Sequence, residues 1–225
     1  MDAESYAREL ADKAIAEGDA TGWFERLYAA AARGETVAPW DRAAPHSLLA
    51  GWAERGGVRG AGRRALVVGA GLGRDAEFLA GLGFDVVAFD ISPTAIESAR
   101  ERHPGSRVSY VAADLFDPPE EWLGAFGLVV ESMTVQSLPD PPRGTAIPLV
   151  GRFVAPGGTL LVIAAGRDPE TDFPGPPWPL TRPEIDAFRI GDLTVERVEE
   201  LRKPDEPIFG WRAELHRPDI EGRTT

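Results

Sequence analysis

The chain has 225 residues, 43% of them hydrophobic, which suits one α/β domain with its own core. Its formal net charge of −12 argues against nucleic acids and anionic membranes as partners, because both attract a basic surface. The sequence contains no cysteine, which excludes disulfides, a thiol nucleophile and a Cys-ligated metal site. The N-terminus is acidic without the apolar stretch of a secretion signal, and no run approaches the ~20 apolar residues of a membrane span. We therefore expect a cytoplasmic protein, and its preference for arginine over lysine suggests a bacterial gene.

Helical patterns dominate the N-terminal part of the chain. They cover residues 3–17, the stretch after Thr21 and residues 46–55. We interpret residues 1–60 as a helical lid and residues 61–225 as the core of one compact domain. Trp23 and Phe24 give the second helix an aromatic face, which predicts contact with a substrate; plain packing onto the core is the alternative.

Three glycines follow the first predicted strand. The apolar run 65–68 leads into Gly69, Gly71 and Gly73, and a helical pattern comes next. This order predicts a buried strand, a tight turn and a helix whose N-terminus offers unpaired N–H groups to a ligand. A dinucleotide-binding fingerprint needs a third small residue at position 74, which is Arg74. The G-x-G-x-G spacing is instead the form used for S-adenosylmethionine (SAM), whose demethylated product is S-adenosylhomocysteine (SAH); a turn without a ligand is the alternative.

An acid ends the second predicted strand, Phe84–Asp90. Asp90 comes 17 residues after the last glycine of the turn, close to the spacing at which an acid meets two ribose hydroxyls. A helix N-cap is the alternative role for Asp90, but Ser92 can supply that cap. Asp90, with Ile91 beside it, is therefore predicted to bind the cofactor.

A third strand pattern over residues 107–113 is followed by Asp114. In SAM enzymes an acid at this place commonly accepts the adenine amino group, with Leu115 or Phe116 near the ring. A solvent-exposed loop acid is the alternative.

The remaining patterns complete a sheet. Further strands are predicted over residues 126–131 and 159–165, the latter after an Ala155–Gly158 turn, and over an antiparallel pair, 191–200 and 209–217. Strands that alternate with helices imply parallel βαβ units. We therefore predict an α/β, Rossmann-like fold with a mostly parallel seven-stranded sheet and helices on both faces.

A proline-dense stretch, residues 167–180, cannot form a regular element. Because it follows the fifth strand, it is expected to lie over the carboxyl ends of the strands. Phe173 and Trp178 are predicted to line an acceptor pocket there; surface packing is the alternative.

With these motifs the chain resembles class I SAM-dependent methyltransferases and, more narrowly, the thiopurine S-methyltransferase family with its halide- and thiol-methylating relatives. The resemblance rests on the Pro39-Trp40-Asp41 segment, the glycine turn with Asp75-Ala76, the passage from Val129 through Pro139 to Arg143, and residues 211–217. It implies methyl transfer to a small molecule, most simply to a thiol. Strand 4 ends in Glu131 where the family more commonly has Asp, which leaves the identity of the acceptor open.

Methyl-transfer chemistry then suggests roles for individual residues. Trp40 is predicted at the charged end of the cofactor. Glu131 and His46 are candidate general bases, and Glu131 is alternatively a partner of the cofactor's ammonium group. The alternatives are that Trp40 is a core residue, that Glu131 is a plain charge at the end of a strand, and that His46 is a capping or packing residue. The predicted cofactor contacts are Trp40, Gly69, Ala70, Gly71, Gly73, Asp75, Asp90, Ile91, Asp114, Leu115, Phe116 and Glu131. The predicted substrate contacts are Trp23, Phe24, Gln136, Arg143, Phe173 and Trp178.

Competing functions are retained. O- or N-methylation of a heteroaromatic natural product or toxin is the main rival to S-methylation, and a non-catalytic SAM-binding protein is a more distant one. A nicotinamide oxidoreductase would share Asp90 but lacks the required glycine spacing. No His, Asp and Glu grouping has metal-ligand spacing, so no metal is predicted. We expect a monomer or weak homodimer.

Overall fold

A seven-stranded sheet runs through the computed structural model, which describes residues 2–219. The strands are β1 (Arg64–Val68), β2 (Asp85–Asp90), β3 (Ser109–Ala112), β4 (Phe126–Ser132), β5 (Val154–Arg167), β6 (Thr194–Leu201) and β7 (Ile208–His216). The helices are α1 (Ala3–Ala16), α2 (Gly22–Ala32), α3 (Ser47–Arg55), α4 (Arg74–Gly81), α5 (Pro93–Arg102), α6 (Pro142–Gly151) and α7 (Arg182–Asp186). The strand order is β3-β2-β1-β4-β5-β7-β6, and β7 pairs antiparallel with both of its neighbours. The predicted fold class is confirmed.

The central strands are buried on both faces. Leu66 and Val68 of β1 belong to one apolar cluster, with α6 and α7, whereas Ala65 and Val67 belong to another, with α3, α4 and α5. Alternating side chains of a strand point to opposite faces, so a continuous apolar run is what a strand covered by helices on both sides requires.

The order in which the chain adds strands to the sheet changes side between β1 and β4, although these two strands are parallel. From β1 the chain proceeds outward to β2 and β3, and then returns to pair β4 with the other side of β1. In open parallel sheets the crevice at such a switch point, beside the carboxyl ends of the strands, is where ligands bind.

The fifth strand differs from its prediction. β5 begins at Val154 rather than at residue 159, and its pairing with β4 jumps from Phe126–Val154 to Leu128–Thr159. The Ala155–Gly158 turn is therefore an irregularity inside the strand, with Gly157 at a φ of 71°. The proline-dense stretch has no helix or strand, as predicted, although Arg167 itself still belongs to β5.

The N-terminal helices are held to the core by side chains. Glu25 of α2 accepts hydrogen bonds from the Ser92 hydroxyl (2.6 Å) and from the Thr94 amide (3.2 Å) at the start of α5. Asp19, rather than Thr21, caps α2 by accepting from the Gly22 amide at 2.7 Å. These contacts bring α2 to the carboxyl end of the sheet.

None of the helices between residues 2 and 219 is long and apolar enough to cross a membrane.

Candidate active site

A cavity of about 510 Å³ lies at the carboxyl ends of β1, β2, β3 and β4. Helices α1 and α2, the Pro39–Ala44 region, the segment after β4 and the proline-dense loop supply further parts of its wall. The predicted residues that line it are Trp23, Phe24, Trp40, His46, Gly69, Ala70, Gly71, Asp75, Asp90, Ile91, Asp114, Leu115, Phe116, Gln136 and Phe173. Residues separated by more than 130 positions thus share one cavity, which includes most of the predicted contacts.

The glycine turn and Asp90 form one hydrogen-bonded unit. The Gly71 amide donates to Asp90 Oδ2 (2.9 Å) and the Ser92 amide donates to Oδ1 (3.0 Å). Each carboxylate oxygen therefore keeps acceptor capacity for a ligand donor. Burial raises the pKa of Asp90, against the opposing effect of these amide donors. Ser92 also caps α5 by accepting from the Ala95 amide, which leaves Asp90 at the cavity.

Gly71 has to be a glycine. Its φ is 50°, and a Cβ at this position would lie 2.9 Å from the Tyr28 hydroxyl. Gly73 is different, because it lies outside the cavity wall, where a Cβ would collide with the Tyr110 hydroxyl. Gly73 was predicted to contact the cofactor, but here it allows the start of α4 to pack against Tyr110.

Tyr28 is a cavity residue that the sequence prediction did not include. Its hydroxyl accepts from Trp40 Nε1 at 2.6 Å, and the Trp40 ring meets the Trp23, Phe24 and Tyr28 rings edge-on at about 6 Å. Burial, followed by the charge of Asp90, raises the pKa of Tyr28 well above its usual value, so the phenol stays neutral. Its position four residues after Phe24, on the same face of a helix, was the available signal.

Asp114 lies at the carboxyl end of β3. Its Oδ1 accepts from the Phe116 amide at 2.8 Å, which fixes the turn that places Leu115 and Phe116 in the cavity wall. The carboxylate and the two apolar side chains therefore meet the cavity together.

His46 and Asp75 connect the segment after Trp40 to the glycine turn. The His46 amide donates to Asp75 Oδ1 (2.7 Å), and His46 Nδ1 accepts from the Leu48 amide (3.2 Å), which caps α3. Burial, then the charge of Arg42, lowers the pKa of this imidazole. A neutral ring that accepts at Nδ1 carries its proton on Nε2. His46 is thus arranged as a capping residue and as a donor rather than as a base.

Glu131 lies outside the cavity wall, which corrects the expectation that it faces methyl transfer. It is fully buried at the end of β4, where Oε1 accepts from the amides of Thr134 (2.7 Å) and Val135 (3.0 Å). Burial raises the pKa of Glu131 to about 7. The carboxyl organises the turn after β4 through Oε1, while its other oxygen, Oε2, has no hydrogen-bond partner within residues 2–219.

Arg143 and Trp178 also lie outside the wall. Arg143 is buried, pairs with Asp140 and with Glu184 (2.9 Å), and lies with its guanidinium 5.8 Å from the Trp178 ring centroid. The substrate contacts predicted for this pair are therefore replaced by a link between α6, α7 and the proline-dense loop. No group of three His, Cys, Asp or Glu side chains in residues 2–219 is arranged to hold a metal ion.

Comparison with known proteins agrees with this geometry. A family model described as "Methyltransferase domain" matches residues 65–158. "Probable thiol methyltransferase 2" of Arabidopsis thaliana is 27% identical over 82% of this chain and 78% of its own length. The "2-heptyl-1-hydroxyquinolin-4(1H)-one methyltransferase" of Mycobacteroides abscessus is 28% identical over 80% of this chain and 79% of its own.

A solved structure shares the fold. The Burkholderia thailandensis 1,6-didemethyltoxoflavin-N1-methyltransferase, with bound SAH, superposes with a TM-score of 0.62 at 19% identity over 97% of this chain and 92% of that one. The narrower thiopurine S-methyltransferase resemblance stays a prediction, because the relatives' names cover different acceptors. The glycine turn, the buried Asp90 and these similarities together show a SAM-dependent methyltransferase with a Rossmann-like fold.

Proposed function

We propose that the protein transfers the methyl group of SAM to a small-molecule thiol, or to another soft nucleophile that loses its proton without help from a protein base. The observation that carries this proposal is that most side chains around the cavity that could act as a general base already have a hydrogen-bond or ion-pair partner. Four of the five lining carboxylates have partners: Asp75 with the His46 amide, Asp90 with two amides, Asp114 with the Phe116 amide, and Asp41 with Arg102 at 2.8 Å. The fifth, Glu4, is exposed on α1.

His46 fits the same pattern. Its Nδ1 lone pair accepts from an amide, so taking a proton there would break the cap of α3. A thiol has a pKa near 8.5 and is partly ionised at neutral pH, whereas a phenol has a pKa near 10. A thiolate therefore needs alignment and exclusion of water more than a base.

The residues at one end of the cavity suit SAM. We call residues 69–75 with Asp90 and Asp114 the cofactor end. There Gly71 leaves open the space a Cβ would fill, Asp90 has acceptor capacity for two ribose hydroxyls, and Asp114 with Phe116 suits an adenine ring. The Trp40 and Tyr28 rings suit the positively charged methionyl end.

When bound at the cofactor end, SAM would supply a methyl group on a sulfonium sulfur, which would become the neutral thioether of SAH when the methyl group passes to the acceptor. The chain contributes binding, orientation and exclusion of water. The aromatic cluster of Trp23 and Phe24 on α2 and Trp40 in the segment after it covers the cavity. We propose that residues 1–60 act as a lid over the core formed by residues 61–225. The net charge of −12 supports a small-molecule acceptor rather than a nucleic acid.

O- or N-methylation of a heteroaromatic compound is the second candidate. It is favoured by the names of two similar proteins, which act on a hydroxyquinolone and on a toxoflavin precursor. Both acceptors carry acidic or ring-conjugated nucleophiles, which also place little demand on a protein base.

The test is SAH release with thiols, phenols and heteroaromatic amines as acceptors, measured across pH 6–10. If no protein base takes part, the inflection in kcat/KM follows the pKa of each acceptor and moves when the acceptor is changed. An inflection that stays at one pH for every acceptor would reveal a base on the enzyme. Turnover of phenols or amines without thiols would favour the second candidate.

A further inference from the structure

Gln136 presents a buried donor that has nothing to bind. Its side chain is 1% exposed and contributes to the cavity wall. In the part of the chain that the structure describes, Nε2 has no hydrogen-bond partner. Buried polar groups are nearly always paired, so an orphaned amide at a cavity wall indicates a group that arrives with a ligand.

The orientation of this amide is determined by its neighbours. Gln136 Oε1 accepts from the Ala165 amide of β5 at 2.6 Å. Because a backbone N–H can only donate, the side-chain oxygen has to face Ala165, and the NH₂ group has to face away from it. The backbone carbonyl of Gln136 also accepts from the Trp178 amide at 2.7 Å, so β5 and the proline-dense loop hold the residue from two sides.

The position of Gln136 assigns it to the acceptor. The cofactor end occupies the carboxyl ends of β1, β2 and β3, whereas Gln136 follows β4 and is bonded to β5, on the other side of β1 in the sheet. We call the segment Ser132–Leu138, together with Phe173, Pro176 and Pro177 of the loop, the acceptor end. Its wall combines apolar side chains with the hydroxyl residues Ser132, Thr134 and Ser137, and the Gln136 side chain is held there by its bond to the Ala165 amide.

We propose that Gln136 is a specificity residue, whose Nε2 donates a hydrogen bond to a carbonyl oxygen or unprotonated nitrogen that the methyl acceptor carries near its nucleophilic atom. This inference rests on the proposed function. Trp23, another residue of the cavity wall, also has a buried donor, Nε1, that lacks a partner within residues 2–219. An occupant that presents only donors would leave Gln136 Nε2 unpaired and would be rejected.

The test uses thiophenol and the three positional isomers of methyl mercaptobenzoate, with SAH release as the readout. Wild type is compared with Q136E and Q136M at pH 9, where a carboxylate at position 136 is ionised. Q136E keeps an oxygen for the Ala165 amide and replaces the donor by an acceptor, while Q136M keeps the length but removes both. Dividing each variant's kcat/KM by that of wild type cancels the intrinsic reactivity of each thiol.

In wild type, at least one ester isomer should exceed thiophenol by about tenfold in kcat/KM or in affinity for the SAH complex. Both variants should lose that advantage while keeping SAM affinity by calorimetry. General damage to the cavity would lower thiophenol and the esters alike, and so would not move the ratio. An unchanged ratio in both variants, or no ester isomer that exceeds thiophenol in turnover or binding, would overturn the inference. If the thiols are inert but the matching methyl hydroxybenzoates react, S-methylation fails, and Gln136 is judged by the same ratios in that series.

Discussion

The cofactor end and the acceptor end of the cavity differ in how their polar groups are held. At the cofactor end, Asp90 Oδ1 and Asp114 Oδ1 each accept from an amide two positions along the chain, although Asp90 Oδ2 also accepts from the Gly71 amide, 19 positions away. At the acceptor end, Gln136 depends on Ala165 and Trp178, which lie 29 and 42 positions away. Local turns therefore help to fix Asp90 and Asp114, whereas the Gln136 side chain is fixed by a distant contact alone.

The difference has a chemical counterpart. Asp90 and Asp114 keep acceptor capacity for the hydroxyl and amino donors of a nucleoside, whereas Gln136 keeps donors. The two ends therefore suit ligands of opposite hydrogen-bonding character, which favours one defined placement of cofactor and acceptor. Substitutions at the two ends should accordingly separate SAM affinity from acceptor selectivity.

The largest effect is expected from Gly71→Val at the cofactor end. A side chain here would adopt an unfavourable positive φ and meet the Tyr28 hydroxyl in the space assigned to SAM. We expect SAM affinity by calorimetry to fall by at least about 100-fold, or ~3 kcal/mol. Gly81→Ala is the control, since a Cβ at Gly81 meets nothing within 4 Å, and its affinity should match wild type. Equal affinities for all three proteins would place the cofactor elsewhere.

We expect Glu131 to make the free energy of unfolding depend on pH, and not to take part in catalysis. Burial raises its pKa in the folded protein to about 7, above the ordinary glutamate value of 4.5, so its contribution to stability is full below pH 4.5 and is lost as pH rises through 7. Glu131→Gln cannot ionise, so its free energy of unfolding relative to wild type should increase between pH 5 and 8, by up to about 3 kcal/mol.

Denaturant unfolding at several pH values measures this difference. The same variant tests the sequence prediction of a catalytic base, because kcat should stay within about threefold of wild type when the carboxyl lies outside the cavity. A pH-independent difference in stability, or a 100-fold loss of kcat, would contradict this reading of Glu131.

Asp90→Ala should weaken SAM binding by about 1–3 kcal/mol, the effect of leaving ligand hydroxyl donors unpaired. Its control is Asp85→Ala, at the exposed start of the same strand. Calorimetry that gives both variants the wild-type affinity would show that the ribose lies away from Asp90.

Arg143→Met should produce a smaller effect, at the junction of α6, α7 and the proline-dense loop next to the acceptor end. It removes the buried guanidinium that joins Asp140, Glu184 and the Trp178 ring, and should lower the free energy of unfolding by about 1–2 kcal/mol. SAM affinity should not change, whereas acceptor KM should rise as the proline-dense loop loosens. Arg182→Met, in the exposed pair with Asp186, is the matched control and should change stability by less than about 0.5 kcal/mol. A loss of SAM affinity in R143M would show that the two ends are not independent.

Local patterns in the sequence were sufficient for the sheet and for most of the cofactor end. Alternating glycines, apolar runs and the acid at position 90 depend on backbone geometry and strand period, which operate over a few residues. The fifth strand was placed too late because a Pro-Gly-Gly sequence is typical of a turn, whereas Val154 pairs with Phe126 of β4 and so extends the strand across residues 154–158.

The tertiary structure decided which polar side chains reach the cavity. Glu131, Arg143 and Trp178 carry suitable chemistry, but packing places them elsewhere. Glu131 lies at the turn after β4, and Arg143 and Trp178 lie at the junction of α6 with the loop. Tyr28 and the free amide of Gln136 acquire their roles from partners distant in sequence. The sequence determined the fold and the nature of the cofactor because those follow from short-range backbone rules. The donors offered to the acceptor follow from long-range packing, which no local pattern encodes.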